Sequence, residues 1–368
     1  MRILHTTDTY APIVGGIEVL VRALAESQVA LGHDVTVLTR TPDRNTMTSP
    51  SANIEVCRDP RALASLVAGA DVVHGHVSAI SPLALRAVEV GARAGVPSVA
   101  TVHSVWGRAW PLFRATAAAR GWNDLPIQWA AVSEVAAGPV RRALGGREVL
   151  VVPNAVDTGY WAPTVRTRHT DVVTLVAVMR MVSRKRPLEL VNALHRMRAL
   201  VPDHVAIEAV LVGDGPLLGA VRRRVDRLGI SEWVHTPGDV AHPELRDLYR
   251  RAEVFIAPAT HESFGLAALE ARAAGLAVVA RSGTGITEFI THEVEGLLAD
   301  SDPALTEHLA RLCRDEATRR RIVLHNHLTR PAFDWSDVRE LNAAAYVQAG
   351  AVDNLVGRSS NPEPKFAA

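Results

Sequence analysis

Short β-rich apolar runs alternate with amphipathic helical segments along almost the whole chain, and this alternation is the feature that most constrains the fold. The order is typical of parallel α/β sheets and not of sandwiches or helical bundles. We predict that the first half forms one doubly wound sheet. Its predicted strands lie at 2–6, 34–39, 54–57, 71–74, 98–103, 128–132 and 148–152.

A second domain is indicated because the alternation stops at Pro153 and restarts only after a mixture of turn residues and charges that ends at Thr170. A chain of 368 residues also suits two domains of ordinary size. The strands predicted after the break lie at 172–179, 206–212, 233–235, 254–257 and 277–280. The predicted parts are a first domain (1–165), a second domain (166–332), a helical segment packing back on the first domain (333–356) and a disordered tail (357–368).

The composition excludes several classes of protein. Hydrophobic residues at 48% and charged residues at 21% are globular values, and no apolar run approaches the length of a membrane span. A net charge of +1 gives no argument for nucleic-acid binding, and two cysteines form neither a metal-binding spacing nor a disulfide framework. Because no signal-like segment opens the chain, we expect a soluble, cytoplasmic protein.

The segment HESFGLAALE (261–270) carries the strongest chemical signal, since it follows a predicted strand and leads into a predicted helix. Glu262 and Glu270 are eight residues apart, which corresponds to about two helical turns. Gly265 permits close approach of a ligand, and free N–H groups at a helix start favour a phosphate or a hydroxyl-rich ring. The alternative is structural: Glu262 as a first-turn glutamate favoured by the helix dipole, and Glu270 as an exposed or paired carboxylate.

Two further segments support an anion site. Cations follow the strand 172–179 at Arg180, Arg184, Lys185 and Arg186, where they are placed to bind a diphosphate without a metal ion. The alternative is a solvated basic loop. The pair Gly15-Gly16 precedes the first predicted helix and opens a path to the helix N-terminus, or else serves a turn that needs positive φ.

Together these segments resemble the retaining glycosyltransferases of the GT-B fold, specifically the group called GT4. The resemblance runs over nearly the whole chain and implies two Rossmann-like domains facing a central cleft. It rests on TDTYAPIVGGIE (7–18), DVVHGH (71–76), VPNAVD (152–157), MRMVSRKRP (179–187), VGDGPL (212–217), HESFGLAALEARAAGLAVVA (261–280) and GTGITEF (283–289).

The resemblance also implies roles for single residues. Arg180 and Lys185 would grip the diphosphate of a nucleotide-sugar donor and offset the charge of the leaving group. Glu270 would hold the ribose of the nucleotide, and His103 would face the transferred sugar unless it is only a half-buried structural histidine. The implied catalytic set is Glu262, His103, Arg180 and Lys185. The implied donor-binding set is Gly15, Gly16, Arg180, Lys185, Glu262, Ser263, Phe264, Gly265, Leu266 and Glu270.

No catalytic base is assigned, since in such enzymes the departing phosphate is drawn as taking the proton of the acceptor. Glu262 is a candidate for electrostatic stabilisation of the sugar cation. The resemblance implies no cofactor and no metal, and Asp300-Ser301-Asp302, although it spells DxD, precedes Pro303 and a helix and is read as a cap. The chain departs from the usual GT4 pattern at Arg272, Ala277, Ala155 and Thr284, which are mostly packing or turn positions.

Only one feature of the sequence bears on the identity of the acceptor, namely four tryptophans within 24 residues. Of these, Trp106 and Trp110, together with Arg108, are the candidate acceptor contacts. Such a cluster can stack on an acceptor sugar, dip into an anionic membrane surface, or pack an aromatic helix face on its own domain. The predicted function is transfer of a hexose or N-acetylhexosamine from a UDP- or GDP-sugar to a hydroxyl acceptor. The alternatives are a nucleotide-sugar epimerase of the same architecture and an inactive nucleotide-sugar sensor, and we expect a monomer or homodimer.

Overall fold

A computed structural model describes residues 1–13, 15–42, 54–163 and 172–352 of the chain. The predicted domain boundary at 165/166, the tail at 357–368 and the end of the segment 333–356 lie outside the described residues. Strands and helices alternate throughout the described part, and the strands form two sheets.

The first sheet contains seven strands in the described part of the chain, all parallel, in the order β3-β2-β1-β4-β5-β6-β7. Its winding direction reverses between β1 and β4, which is where ligands bind in open α/β sheets. The strands are β1 (Arg2–Thr7), β2 (Asp34–Thr39), β3 (Ile54–Cys57), β4 (Val72–Val77), β5 (Ser98–Val102), β6 (Ile127–Ala131) and β7 (Leu150–Val151).

The second sheet has six parallel strands among the residues described, in the order β10-β9-β8-β11-β12-β13, with the reversal between β8 and β11. The strands are β8 (Val172–Val178), β9 (Ala206–Val212), β10 (Val234–Gly238), β11 (Val254–Ala257), β12 (Ala277–Arg281) and β13 (Gly296–Ala299). Strand β13 was not predicted. It starts at a glycine so close to β12 that a Cβ there would lie 2.0 Å from the Val278 carbonyl oxygen, a contact that spacing along the chain does not reveal.

Helices connect the strands and cover both sheets. They are α1 (Gly16–Ala30), α2 (Leu63–Gly69), α3 (Pro82–Arg93), α4 (Trp110–Arg120), α5 (Glu134–Ala143), α6 (Thr158–Trp161), α7 (Pro187–Arg198), α8 (Leu218–Arg227), α9 (His242–Arg251), α10 (Leu266–Ala273), α11 (Asp302–Arg314), α12 (Glu316–Leu328) and α13 (Trp335–Gln348). Single 3-10 turns occur at Pro60–Ala62, Gly107–Ala109, Ser183–Lys185 and Gly285–Glu288.

The central strands are buried on both faces, which explains why their sequences are mostly apolar, although β4 also carries the buried His74 and His76. Every residue of β4 and β5 is buried, and one apolar cluster includes residues of both sheets, such as Trp129 on β6 and Phe255 on β11. The two domains are therefore packed against each other.

Helix α13 returns to the first domain. The Tyr346 hydroxyl on this helix lies 2.9 Å from Gln28 Nε2 on α1 and 2.9 Å from His74 Nδ1 on β4. At the start of the helix, Asp334 accepts a 2.6 Å hydrogen bond from the Thr158 hydroxyl, and Val156 N–H donates to the Phe333 carbonyl at 3.0 Å. The polypeptide thus passes from the second domain back to the first at Phe333 and Asp334, which are hydrogen-bonded to residues 156 and 158.

Candidate functional site

The carboxyl ends of the two sheets meet at a direct contact between the domains. The Ser263 hydroxyl, in the loop after β11, donates a 2.7 Å hydrogen bond to the carbonyl oxygen of His103, which follows β5. The Ser263 carbonyl accepts a 2.6 Å hydrogen bond from the Ser133 hydroxyl at the start of α5, and Glu134 N–H donates to Glu288 Oε1 at 2.8 Å. This contact places the HESFG loop beside the first domain.

Lys185 and Glu262, which come from the two motifs predicted to bind the donor, form an ion pair in which Lys185 Nζ donates to Glu262 Oε2. Both side chains are largely buried, with 20% and 14% of their surface exposed. Glu262 lies in the loop before α10, since that helix begins at Leu266 with Gly265 as its N-cap. The interpretation of Glu262 as a first-turn glutamate is therefore wrong.

Glu270 lies inside α10 and is buried, and burial raises the pKa of its carboxyl group to about 8. No hydrogen bond or ion pair to this carboxylate occurs within the described ranges. The structural alternative, an exposed or paired glutamate, is contradicted. A buried carboxyl group without a partner is costly, so this position suits a ligand that supplies hydroxyl groups.

The cations of the basic loop separate into two sets. Arg180 is exposed just after β8, and Lys185 contacts Glu262. Arg186 instead points away to Asp302, at 2.8 Å and 2.6 Å, where Arg281 also donates at 2.6 Å. Arg180 and Lys185, the cations that the resemblance assigns to a diphosphate, are thus not held by Asp302 as Arg186 is.

The DxD string serves the fold. Its serine, Ser301, is the N-cap of α11 and accepts a 3.3 Å hydrogen bond from Ala304 N–H, as the cap interpretation predicted. The hydrogen bonds from Arg186 lower the pKa of Asp302, and the charges of Arg186 and Arg281 add to this effect.

The glycines of the predicted site differ in whether their backbone conformation or their surroundings require glycine. Gly15 is the N-cap of α1 in an extended conformation, with φ −168° and ψ 173°, and Gly16 has no positive φ, so the proposed positive-φ turn is not formed. A Cβ at Gly16 would meet nothing within 4 Å. Gly265 has φ 96°, and a Cβ there would lie 2.5 Å from Ile286 Cγ1, so both its backbone and its surroundings require glycine.

The side chain of Phe264 is part of the core. It packs against Phe289 and Phe333 with ring centroids 5.4 Å and 5.7 Å apart. Only the backbone of Phe264 is therefore available to a ligand, next to the free N–H groups at the start of α10.

His103 is buried and belongs to a chain of histidines that the order of residues in the sequence does not connect. His103 Nε2 lies 3.1 Å from His76 Nδ1, and His76 Nε2 lies 2.9 Å from His5 Nδ1. Burial lowers the pKa of His103 to about 4, an effect that the neighbouring Asn154 side chain opposes. His5 and His76 lie on the adjacent strands β1 and β4. A prediction that these two strands pair would therefore have placed the two histidines near each other.

His5, His74 and His76 offer ring nitrogens within 4.8 Å of one another, as a metal site would. All six of these nitrogens already have protein partners, however: Gln28, Tyr346, Thr101, His103 and the His5–His76 contact itself. A metal ion would have to displace these hydrogen bonds.

The aromatic cluster is largely core. Trp106, Trp122 and Trp129 are at most 3% exposed, and the Trp106 ring stacks on Phe113 at 3.7 Å. The burial of Trp106 and its stacking on Phe113 argue against a direct contact with the acceptor, which stays a prediction. Trp110 is half-buried with the Arg142 guanidinium 6.0 Å from its ring, and the side chain of Arg108 lies outside the described part of the structure. Among the described helices, none has the length and apolar character needed to cross a membrane.

Comparison with known proteins gives matches over both domains. Residues 14–160 match the model described as Glycosyltransferase Family 4, and residues 165–325 match the model described as Glycosyl transferases group 1. A phosphatidylinositol N-acetylglucosaminyltransferase subunit of Arabidopsis thaliana is 25% identical, over 95% of this chain and 82% of that protein. D-inositol 3-phosphate glycosyltransferase of Arthrobacter is 27% identical, over 96% of this chain and 95% of that one.

Among solved structures, HepE of Anabaena in complex with UDP and glucose superposes with a TM-score of 0.73. It is 19% identical, and the superposition covers 94% of this chain and 99% of HepE. The predicted architecture of two Rossmann-like domains is confirmed by this likeness and by the two parallel sheets.

Proposed function

Because this chain belongs to the GT4 family of glycosyltransferases with the GT-B fold, we propose that it moves a hexose or N-acetylhexosamine from a UDP- or GDP-sugar to a hydroxyl acceptor. The proposed transfer retains the configuration of the sugar and requires no metal ion. The observation that carries the proposal is the buried Glu270, which has no hydrogen-bond or ion-pair partner among the described residues. It lies on the helix that follows the loop of Glu262, the partner of Lys185.

In this proposal the nucleotide occupies the second domain. The ribose hydroxyls donate to Glu270, which supplies the partners that its buried carboxylate lacks. The diphosphate lies between Arg180 and Lys185 and receives N–H groups from the start of α10. Because a Cβ at Gly16 would have no atom within 4 Å, the backbone at this position leaves room for the phosphate on the side of the first domain.

The chemical step follows from this charge distribution. As the bond from the sugar to the phosphate breaks, negative charge grows on the phosphate and is stabilised by Lys185 and Arg180. Positive charge grows on the sugar ring beside Glu262. The departing phosphate takes the proton of the acceptor hydroxyl as the new bond forms on the same face, so no side chain is needed as a base.

The acceptor class is an inositol-type polyol, an aminosugar, a natural product or a lipid-linked glycan. Two relatives are named for phosphatidylinositol and inositol 3-phosphate, and inositol phosphates are therefore the first acceptors to test. Exposed apolar side chains occur at Ile13 and Ile80, in the segments after β1 and β4, and at Leu112 on α4, the helix after β5. These side chains motivate the lipid-linked alternative and peripheral membrane contact.

The test is incubation with UDP- and GDP-sugars, with and without acceptors and in the presence of EDTA. Nucleotide released only with acceptor, together with an α-linked product from an α-linked donor, supports the proposal. A new sugar isomer would indicate epimerisation, and nucleotide-sugar binding without any turnover would indicate an inactive sensor. Either of these two results would overturn the proposed sugar transfer. Activity abolished by EDTA would overturn only the proposal that no metal ion is required.

Vesicle flotation addresses the acceptor. If the enzyme acts on a lipid-linked acceptor, it floats with vesicles that contain anionic lipid, and a Leu112→Ser variant floats less. An enzyme for soluble acceptors stays at the bottom of the gradient. A matched control is Leu324→Ser, because Leu324 is similarly exposed (59% against 68% for Leu112) but lies on α12 of the second domain.

A further inference from the structure

Three buried histidines form a continuous hydrogen-bonded chain from the interior of the first sheet to the cleft. His5, His76 and His103 are linked through contacts of 2.9 Å and 3.1 Å. Burial lowers the pKa of His5 and His103 to about 4 and that of His76 well below its ordinary value. All three rings are therefore neutral near pH 7, and each has one N–H and one lone pair.

The direction of this chain is determined at its inner end by Gln28. The Gln28 carbonyl oxygen lies 2.6 Å from His5 Nε2 and can only accept, so His5 Nε2 carries the proton and His5 Nδ1 carries the lone pair. His76 Nε2 must then donate to His5 Nδ1. By the same argument, His103 Nε2 donates to His76 Nδ1.

A second branch is compatible with this orientation of the Gln28 amide. Gln28 Nε2 donates to the Tyr346 hydroxyl at 2.9 Å, which leaves that hydroxyl to donate to His74 Nδ1 at 2.9 Å. His74 Nε2 then donates to the Thr101 hydroxyl at 2.8 Å. Every donor in this branch meets an acceptor, so the orientation of Gln28 is consistent with both of its neighbours.

The outer end of the chain is His103 Nδ1, which is buried and without a hydrogen-bond partner among the residues described. The rings of His76 and His103 line a cavity of about 10 Å³ together with Asn154, whose Oδ1 also lacks a partner there. A complete chain from Gln28 through the three histidines to Asn154 would contain four hydrogen bonds and would need four protons. The three neutral rings supply only three. One end amide must therefore donate whenever the other accepts.

We propose that Gln28 is a positioning residue which, through His5 and His76, holds His103 as the Nε2–H tautomer, so that Nδ1 presents a lone pair at the cleft end of the chain. His103 Nδ1 then donates no hydrogen bond and accepts one from a ligand hydroxyl. Asn154 becomes a donor to Nδ1 only after its amide turns, because in the present orientation its Oδ1 is the unpartnered atom. The catalytic consequence rests on the proposed function, but the tautomer itself does not. His103 acts in this arrangement as a neutral acceptor.

The tautomer is measured directly by nitrogen NMR of the full-length protein labelled with ¹⁵N-histidine, with the His103 signals assigned by comparison with His103→Gln. We expect a protonated Nε2 and a bare Nδ1 in the free wild-type protein. In Gln28→Met, which keeps the side-chain length but removes the acceptor, the His103 signals should shift toward protonated Nδ1. Tyr346→Phe, which frees the Gln28 amide and changes the volume little, should shift them in the same direction.

Thr101→Val is the matched control, because it breaks only the His74 branch and should leave the His103 signals unchanged. In Gln28→Met we also expect kcat/KM to fall about tenfold with UDP affinity unchanged. A protonated Nδ1 in the wild-type protein, or an unchanged His103 spectrum in both Gln28→Met and Tyr346→Phe, would overturn the proposal. The expected spectra without any sugar transfer would instead contradict the proposed function and leave the tautomer assignment intact.

Discussion

The Ser263 hydroxyl donates a 2.7 Å hydrogen bond to the carbonyl oxygen of His103, and this single bond joins the donor motif of the second domain to the cleft end of the histidine chain in the first. Ser263 is thus both part of the implied donor site and a contact between the domains. Its position explains how two segments 160 residues apart act at one place.

We predict that Ser263→Ala loosens this contact while the two sheets stay folded. Loss of one partly buried hydrogen bond costs about 1 kcal/mol, so backbone amides near 131–137 and 261–266 should exchange with deuterium about fivefold faster. Ser282→Ala is the control, since its hydroxyl donates to Ala299 O within the second domain at 3.2 Å. Equal exchange rates in the wild type and Ser263→Ala would contradict this role.

Lys185→Ala should reduce turnover by about 10² to 10³, because it removes a cation aimed at the charge that grows on the leaving phosphate. The protein should stay folded, but its thermal unfolding midpoint should fall, since the largely buried Glu262 carboxylate loses its partner. Arg184→Ala changes an exposed neighbour in the same loop and should retain activity. Near-normal kcat in Lys185→Ala would rule out the diphosphate role.

Glu270 makes stability depend on pH. Its pKa is about 8 in the folded protein against an ordinary 4.5, so between these values the folded state binds more protons and stability falls as pH rises. Glu270→Gln should therefore match the wild type near pH 4 and exceed it by roughly 4 kcal/mol at pH 9. Urea unfolding of both proteins from pH 4 to pH 9 measures this difference. A difference that does not change with pH would show that Glu270 keeps an ordinary pKa.

The tryptophan cluster should separate into core and surface members. Trp106→Ala removes a buried ring stacked on Phe113 and is expected to cost about 3–5 kcal/mol of unfolding free energy. Trp110→Ala, at a half-buried ring, should cost less than about 1 kcal/mol. Urea unfolding compares the two variants. A stable Trp106→Ala whose only defect is a raised acceptor KM would instead support a direct contact of Trp106 with the acceptor.

Much of the fold was predictable because strands buried on both faces are largely apolar. This property is local, and it revealed β4, β5 and β8 to within a few residues. Strand β7 is shorter than predicted, with Leu150–Val151 in place of 148–152. It lies at the edge of its sheet and pairs on one side only, with β6. Strand β13 was missed because its sequence, GLLA, has no β-branched or aromatic residue, unlike the equally short β3 and β11.

Part of the site was also predictable. The motifs around Lys185 and Glu262 were each identified from local order, namely the end of a strand followed by charged residues. Their meeting as an ion pair depended on β8 and β11 lying side by side, which is a property of the sheet. The burial of Glu270 could not be inferred from its helical spacing, because spacing does not reveal what covers a helix face.

The sequence by itself therefore determined the α/β class, the two domains and the segments that carry charge, since periodicity and chain order are local properties. Only the tertiary structure decided which polar groups are partnered. The histidine chain draws its members from β1, β4 and the residue after β5, and it ends on Gln28 of α1. Gln28 in turn contacts Tyr346 of α13, 318 residues away in the sequence. Hydrogen bonds at such separations depend on strand register and helix docking, and these are established only when the whole core packs.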